Sequence, residues 1–292
     1  MTGPVIHTYR AAETGLFVNS YLVEGETGVV VVDTNLLASD TEALRARLKA
    51  LKKPLRAILV THAHPDHFNG VLALVQDGEV PVYAAASVAR VITEIAEAKR
   101  ARWGPVYGEE WPAGAYYPNT LLADREAVKV DELAFTVREL GPVESHADSY
   151  FTVSADGSGP VAFIGDLAFH GTHPFTEDGH SRAWLAALDM LASELGQVRT
   201  LYPGHGGPAS PALFAEQRRY LMYYRELIQR LAGGEPQLTD VAKKELDAAM
   251  QAFLPGAPLT WMIGLGADAV AAELAAEAGG APPAPSTVTP GT

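Results

Sequence analysis

The chain has 292 residues, 48% of them hydrophobic and 20% charged, a globular composition that excludes disorder over most of its length. Its 22 Lys and Arg against 35 Asp and Glu leave a net charge of −13, which argues against a nucleic-acid partner because phosphate binding needs clustered cations. There is no cysteine, so disulfides, thiolate metal sites and cysteine nucleophiles are excluded.

In chain order, residues 1–7 have neither the basic nor the apolar region of a signal peptide, so a soluble, cytoplasmic protein is expected. Residues 5–9, 17–24 and 28–33 are rich in β-formers, with a turn at 25–28. The longest aliphatic run, Val29 to Val32, is far below the ~20 residues of a membrane span, so no membrane partner is expected. Ser39 and Glu42 form a capping-box pattern opening a helix with Leu44, Leu48 and Leu51. Residues 56–61 are a short buried strand that runs straight into His62. Residues 81–84 read as a strand and 86–102 as a helix, with Val88, Val91, Ile92 and Ile95 at helical spacing. Residues 103–119 carry Gly, Pro and five aromatics without a period, the pattern of a long loop. Strands follow at 134–140, 150–154, 160–164 and 199–202, with helices at 181–195, from Ser210-Pro211, at 239–253 and at 267–278. The expected organisation is one domain over residues 1–278, with a disordered Pro, Ala and Thr rich tail at 279–292.

The informative segment is His62-Ala63-His64-Pro65-Asp66-His67. At the end of a strand, residues i and i+2 face the same way, so His62 and His64 can converge on one ion. Pro65 breaks the strand, and the turn aims Asp66 and His67 at a second position. Imidazole and carboxylate are the ligands for Zn, Fe or Mn where no thiolate exists.

These residues resemble the metallo-β-lactamase superfamily, and the resemblance continues through residues 15–210. That family follows its His-x-His-x-Asp-His motif with a His after a third strand, an Asp after a hydrophobic strand, and a His in a Gly-His turn. The matching positions here are His146 in Glu144-Ser145-His146, Asp166 in Phe163-Ile164-Gly165-Asp166, and His205 in Tyr202-Pro203-Gly204-His205. The resemblance implies a four-layer αββα sandwich of class α/β (α+β). It also implies two divalent ions as cofactors, zinc ahead of iron or manganese. His62, His64 and His146 would hold one ion and Asp66, His67 and His205 the other, with Asp166 bridging and Asp33 bracing the His-rich loop. The chain departs from the family at Phe68-Asn69-Gly70, where Gly-Gly is common, and in the longer segment before His146.

The resemblance implies hydrolysis of a carboxylic ester, thioester, lactone or amide by metal-bound hydroxide, with Asp66 orienting the nucleophile. The other reading within the fold is a mono-iron, persulfide-dioxygenase-like oxidoreductase using His62, His64 and His146 alone; the presence of His67 and His205 favours two metals. A small-molecule substrate is implied. Trp103, Tyr107 and Trp111 form a candidate pocket wall, and no cation occurs from residue 103 to 124, which suits an apolar or aromatic group; packing into a local core is the alternative. His170 and His173, just after Asp166, are further candidates for the wall. The sequence leaves the substrate, the native metal and the oligomeric state open.

Overall fold

Continuous apolar runs suit strands covered on both faces, and two such runs form the middle of a sheet. In the computed structural model, which describes residues 4–76, 78–155 and 158–279, β3 (Val29–Val32) and β4 (Leu55–Val60) lie parallel and adjacent. Around them β1 (Val5–Arg10), β2 (Asn19–Glu24), β5 (Val82–Ala85) and β6 (Thr120–Leu122) complete a six-stranded sheet ordered β1 to β6. A second sheet of five strands has the order β11 (Thr200–Pro203), β10 (Ser158–Gly165), β9 (Asp148–Ala155), β8 (Leu133–Gly141), β7 (Ala127–Val130). Among the described strands the chain crosses between sheets once, at residues 123–126.

Alternation along the second sheet builds two cores. Phe151 and Val153 of β9, with Val161 and Phe163 of β10, face the first sheet and join a core with Ile58, Leu22 and Ile92. Their neighbours Tyr150, Ala162 and Ile164 point the other way, into a core with Trp184 and Leu221. Successive side chains of a strand point to opposite faces, so one strand feeds both cores. Helices α1 (Ala38–Ala50), α2 (Pro65–Phe68), α3 (Val71–Val75) and α4 (Ala86–Tyr107) belong with the first sheet. Helices α5 (Ser181–Glu194), α6 (Leu213–Ala232), α7 (Asp240–Phe253), α8 (Trp261–Leu265) and α9 (Ala267–Ala278) belong with the second. The result is the expected αββα layering. No described helix is long and apolar enough to cross a membrane.

Two details differ from the sequence reading. Ser39 lies inside α1 and makes no cap with Glu42; instead its N–H and hydroxyl both donate to the Glu110 carboxylate, 3.0 and 2.7 Å away. Helix α4 runs on to Tyr107, so Trp103 and Tyr107 sit on its last turns rather than in a loop. The expected tail at 279–292 lies, from residue 280 onward, outside the described residues.

The two sheets meet at one corner. His62, just past β4, bridges to Asp148 at the start of β9, and Val18 bridges to His205, just past β11. Ser149 reinforces the first contact, its N–H and hydroxyl both donating to the Thr61 carbonyl at 2.9 and 2.6 Å. The carboxyl ends of β3, β4, β10 and β11 therefore converge, the usual place for a site in sheets of this kind.

Candidate metal centre

Four histidines reach this corner, each with one ring nitrogen tied outward. Asp33 follows β3 with φ of 58°, a left-handed conformation that Asp tolerates better than most residues. Its carboxylate accepts from the Thr61 N–H at 2.9 Å, from the Thr61 hydroxyl at 2.8 Å and from His67 Nδ1 at 2.8 Å. Since the Thr61 hydroxyl spends its proton on Asp33, the 3.0 Å contact with His62 Nδ1 must be donated by the imidazole. His205 Nδ1 donates to the Leu16 carbonyl at 2.8 Å, and His64 Nε2 to Asp178 at 3.0 Å. Every ring thus turns its other nitrogen inward. Outward anchoring of this kind fixes the tautomer of metal-ligating histidines.

The inward atoms fall into two groups. Donors of His62, His64, Glu144 and Asp166 lie within 4.8 Å of one another, and so do those of Asp66, His67 and His205. Asp166 stands between them. One of its oxygens is 3.5 Å from His67 Nε2, and the other is 3.3 Å from His205 Nε2 and 3.9 Å from His62 Nε2. Asp66 closes the second group, 3.2 Å from His205 Nε2 and 3.5 Å from His67 Nε2. The loops allow this approach because they are glycine at the tight points. A Cβ on Gly204 would overlap the Asp166 carboxylate, and one on Gly70 would overlap the Thr34 carbonyl and the Thr41 side chain. Gly70 therefore permits close packing against the Thr34–Thr41 segment, although the Gly-Gly common in the family is missing.

Charge is unbalanced in this space. Neutral imidazoles would leave the three buried carboxylates of Asp66, Glu144 and Asp166 uncompensated, a costly arrangement without cations. Protons take up part of the imbalance. Burial would pull His64 down, but the Glu144 and Asp178 carboxylates override it and push the ring up to about 10. His205 likewise resists burial and rises to about 10 under Asp166 and Asp66. His62 goes the other way, driven well below the ordinary range by burial and by its neighbour His67. Burial would raise Asp66, yet His67 and His205 hold it well below the usual carboxylate range.

The donor set fits divalent ions. His62 Nε2, His67 Nε2, Glu144 Oε1 and Asp166 Oδ1 are buried and have no hydrogen-bond partner. Buried polar atoms without partners are rare and costly, and here they all face the same space. Imidazole and carboxylate donors without thiolate suit zinc, iron or manganese.

His146 is not in this space. Its Nδ1 contacts His180 Nε2 at 2.8 Å, and its Nε2 lies 3.8 Å from Asp178. Glu144 stands where His146 was expected, 3.2 Å from His64 Nδ1 and 3.8 Å from His62 Nε2. The cause is local: Asp148 accepts from the N–H groups of Val143 and Ser145, at 3.0 and 2.9 Å, curling the turn so that the residue between them points inward. The signal was present in the long segment before His146 and in a carboxylate two positions away. Asp178, which anchors His64, carried no motif and was missed.

A cleft opens from the centre. His64, Asp66, Asp166 and His205 form its floor, and Trp103, Tyr107 and Trp111 stand along one wall. The cleft is open to solvent at its mouth. Phe169 lines it, whereas His170 turns away to the Gly207 carbonyl at 2.8 Å. His173 is buried against Tyr220 of α6, 2.9 Å from its hydroxyl, and does not reach the cleft. Trp261 and Met262 of α8 complete the wall.

Comparison with known proteins agrees with this architecture. A metallo-beta-lactamase family protein from Thermus thermophilus superposes with a TM-score of 0.65 at 22% identity, covering 94% of each chain. A metallo-beta-lactamase from Pontibacter korlensis gives 0.60 at 21% identity, covering 76% of this chain and 96% of that one. These likenesses concern the fold. A linear primary-alkylsulfatase from Pseudomonas sp. (strain ATCC 19151) is 36% identical over 69 residues, which is 22% of this chain and only 13% of that protein. The profile of the metallo-beta-lactamase superfamily matches residues 14–205, from the turn before β2 to the last inward histidine, and the chain belongs to that superfamily.

Proposed function

We propose that the protein is a dinuclear, zinc-dependent hydrolase. His62, His64 and Glu144 would hold one ion and Asp66, His67 and His205 the other, with Asp166 shared. The observation that carries this reading is the set of anchored histidines whose free nitrogens, with unpartnered carboxylate oxygens, face one buried space. Two divalent ions supply, when bound, a water of lowered pKa and a Lewis acid for the substrate oxygen. Asp66 reaches the cleft floor beside the second ion position, so its carboxylate can orient the attacking water. Tyr107 lines the same cleft, and burial together with the Asp66 charge pushes its hydroxyl up to about 12. It stays protonated and can donate to a substrate oxygen.

The substrates in view are carboxylic esters, thioesters, lactones and amides. The short likeness to an alkylsulfatase adds sulfate esters. The mono-iron reading would need His146 beside His62 and His64, and the ring faces His180 instead. Metal analysis with a hydrolase panel over these bond types tests the proposal on one sample. About two ions per chain and chelator-sensitive turnover are expected. A single iron with oxygen consumption would overturn it.

A further inference from the structure

The floor of the cleft is polar, and its walls are not. Three of the chain's four tryptophans, Trp103, Trp111 and Trp261, line it together with Met262. Trp261 is 47% exposed, which places it at the mouth, and it belongs to α8, beyond the residues 14–205 that carry the superfamily match. One cation breaks the apolar wall. Lys99, on α4, lines the cleft 3.5 Å from Asp178, whose other oxygen is 3.0 Å from His64, and its ammonium sits 5.5 Å from the Phe175 ring centre. The cation therefore lies at the inner end of the cleft, beside the ligand histidine, while the apolar surface extends outward to α8. In low-dielectric surroundings a partly compensated ammonium still favours an anion far more than it would in water.

Resting on the reading of this cleft as a substrate site, we propose that it selects an anionic amphiphile, its apolar chain laid against Trp261 and Met262 and its charged head turned inward toward Lys99. Helix α8 is then the element that sets chain length, and Lys99 the residue that sets head-group charge. The net charge of −13 does not oppose this, because the selecting cation acts at contact range inside the cleft while distant charges are screened.

Binding tests the proposal without turnover. The zinc-loaded protein is titrated with n-alkanesulfonates from pentyl to decyl, which contain no bond for water to cleave, and tryptophan fluorescence is followed. Affinity should rise about fourfold per methylene, corresponding to ~0.8 kcal/mol for each buried CH₂. In Trp261→Ala, a half-exposed position that folding should tolerate, the gain for the longest chains should disappear, and Trp261→Phe should restore part of it. In Lys99→Gln the sulfonate should bind about 10-fold more weakly while the n-alkanol of equal length binds as before; Lys99→Arg should keep the sulfonate preference. Affinity independent of chain length, or Trp261→Ala leaving the increments intact, overturns the role of α8. Equal losses for sulfonate and alkanol in Lys99→Gln overturn the role of the cation. If no substrate is hydrolysed yet these titrations behave as expected, the hydrolase reading fails and the amphiphile site stands.

Discussion

The Glu144 carboxylate lies 3.2 Å from Nδ1 of His64, the nitrogen left free when Nε2 is tied to Asp178, while His146 pairs with His180. The two residues make opposite predictions. Glu144→Gln should weaken one ion on the order of 10²-fold or more, leaving about one per chain after dialysis, whereas His146→Ala should retain both. Inductively coupled plasma measurements on the two variants decide the matter; the reverse pattern would return His146 to the ligand set.

Asp66→Asn should lower turnover on the order of 10²-fold or more while the melting temperature stays within a few degrees of the parent. The carboxylate both faces the second ion position and reaches the cleft floor. Near-normal kcat in this variant would remove Asp66 from the reacting centre.

The outward anchors should matter almost as much as the ligands. Asp33→Asn disturbs His67 and Thr61 together, and Asp178→Asn frees His64. Each should cost 10- to 100-fold in metal affinity, read by competition with a chromogenic chelator. Unchanged affinity in both would mean that packing alone holds the rings.

Metal uptake should release protons. In the metal-free protein His64 and His205 are held up at about 10, so both rings are charged at pH 7 and must lose protons to ligate. Calorimetry in buffers of different ionisation enthalpy should show net release at pH 7 and tighter binding as pH rises. The same shifts stabilise the chelated protein: their contribution is complete below the unfolded histidine value near 6.5 and is lost as pH rises through about 10. A chelated protein that melts no lower at pH 10 than at pH 6 would contradict the pairing of these rings with carboxylates.

Trp111 serves two surfaces. It packs with Leu36 and Leu37 at 7% exposure and also lines the cleft. Trp111→Ala should therefore cost about 3 kcal/mol of stability, as for other buried aromatics, and also change preference among acyl groups. Denaturant unfolding and a substrate series report the two effects separately. Loss of stability with an unaltered preference would confine Trp111 to the core.

Much of this was legible in the sequence because strand ends and ligand spacing share one rule. His62 and His64 follow a buried strand at i and i+2, so pattern alone located those two inward groups, whereas Asp166 and His205, which follow two other strands, were picked out by the resemblance to the superfamily. Glu144 was not legible because its direction depends on Asp148 capturing two backbone N–H groups, a contact made only when the turn closes. Asp178 and Lys99 come from segments far from the motif in sequence and meet His64 only in three dimensions. His170 and His173 follow Asp166 directly, yet one turns to a backbone carbonyl and the other into the helical core. Nearness along the chain did not bring either ring into the cleft.

The crossing at residues 123–126 divides the donors unevenly between the halves of the molecule. His62, His64, Asp66 and His67 precede it, and Glu144, Asp166 and His205 follow it. Neither half owns a complete set for the pair of positions, since the first group needs Glu144 and Asp166 and the second needs His205. A divalent ion bound there acts as a rivet through the joint between two plates. Cut at the connection, the two fragments should recombine more tightly with metal than without it, and chelation should loosen them.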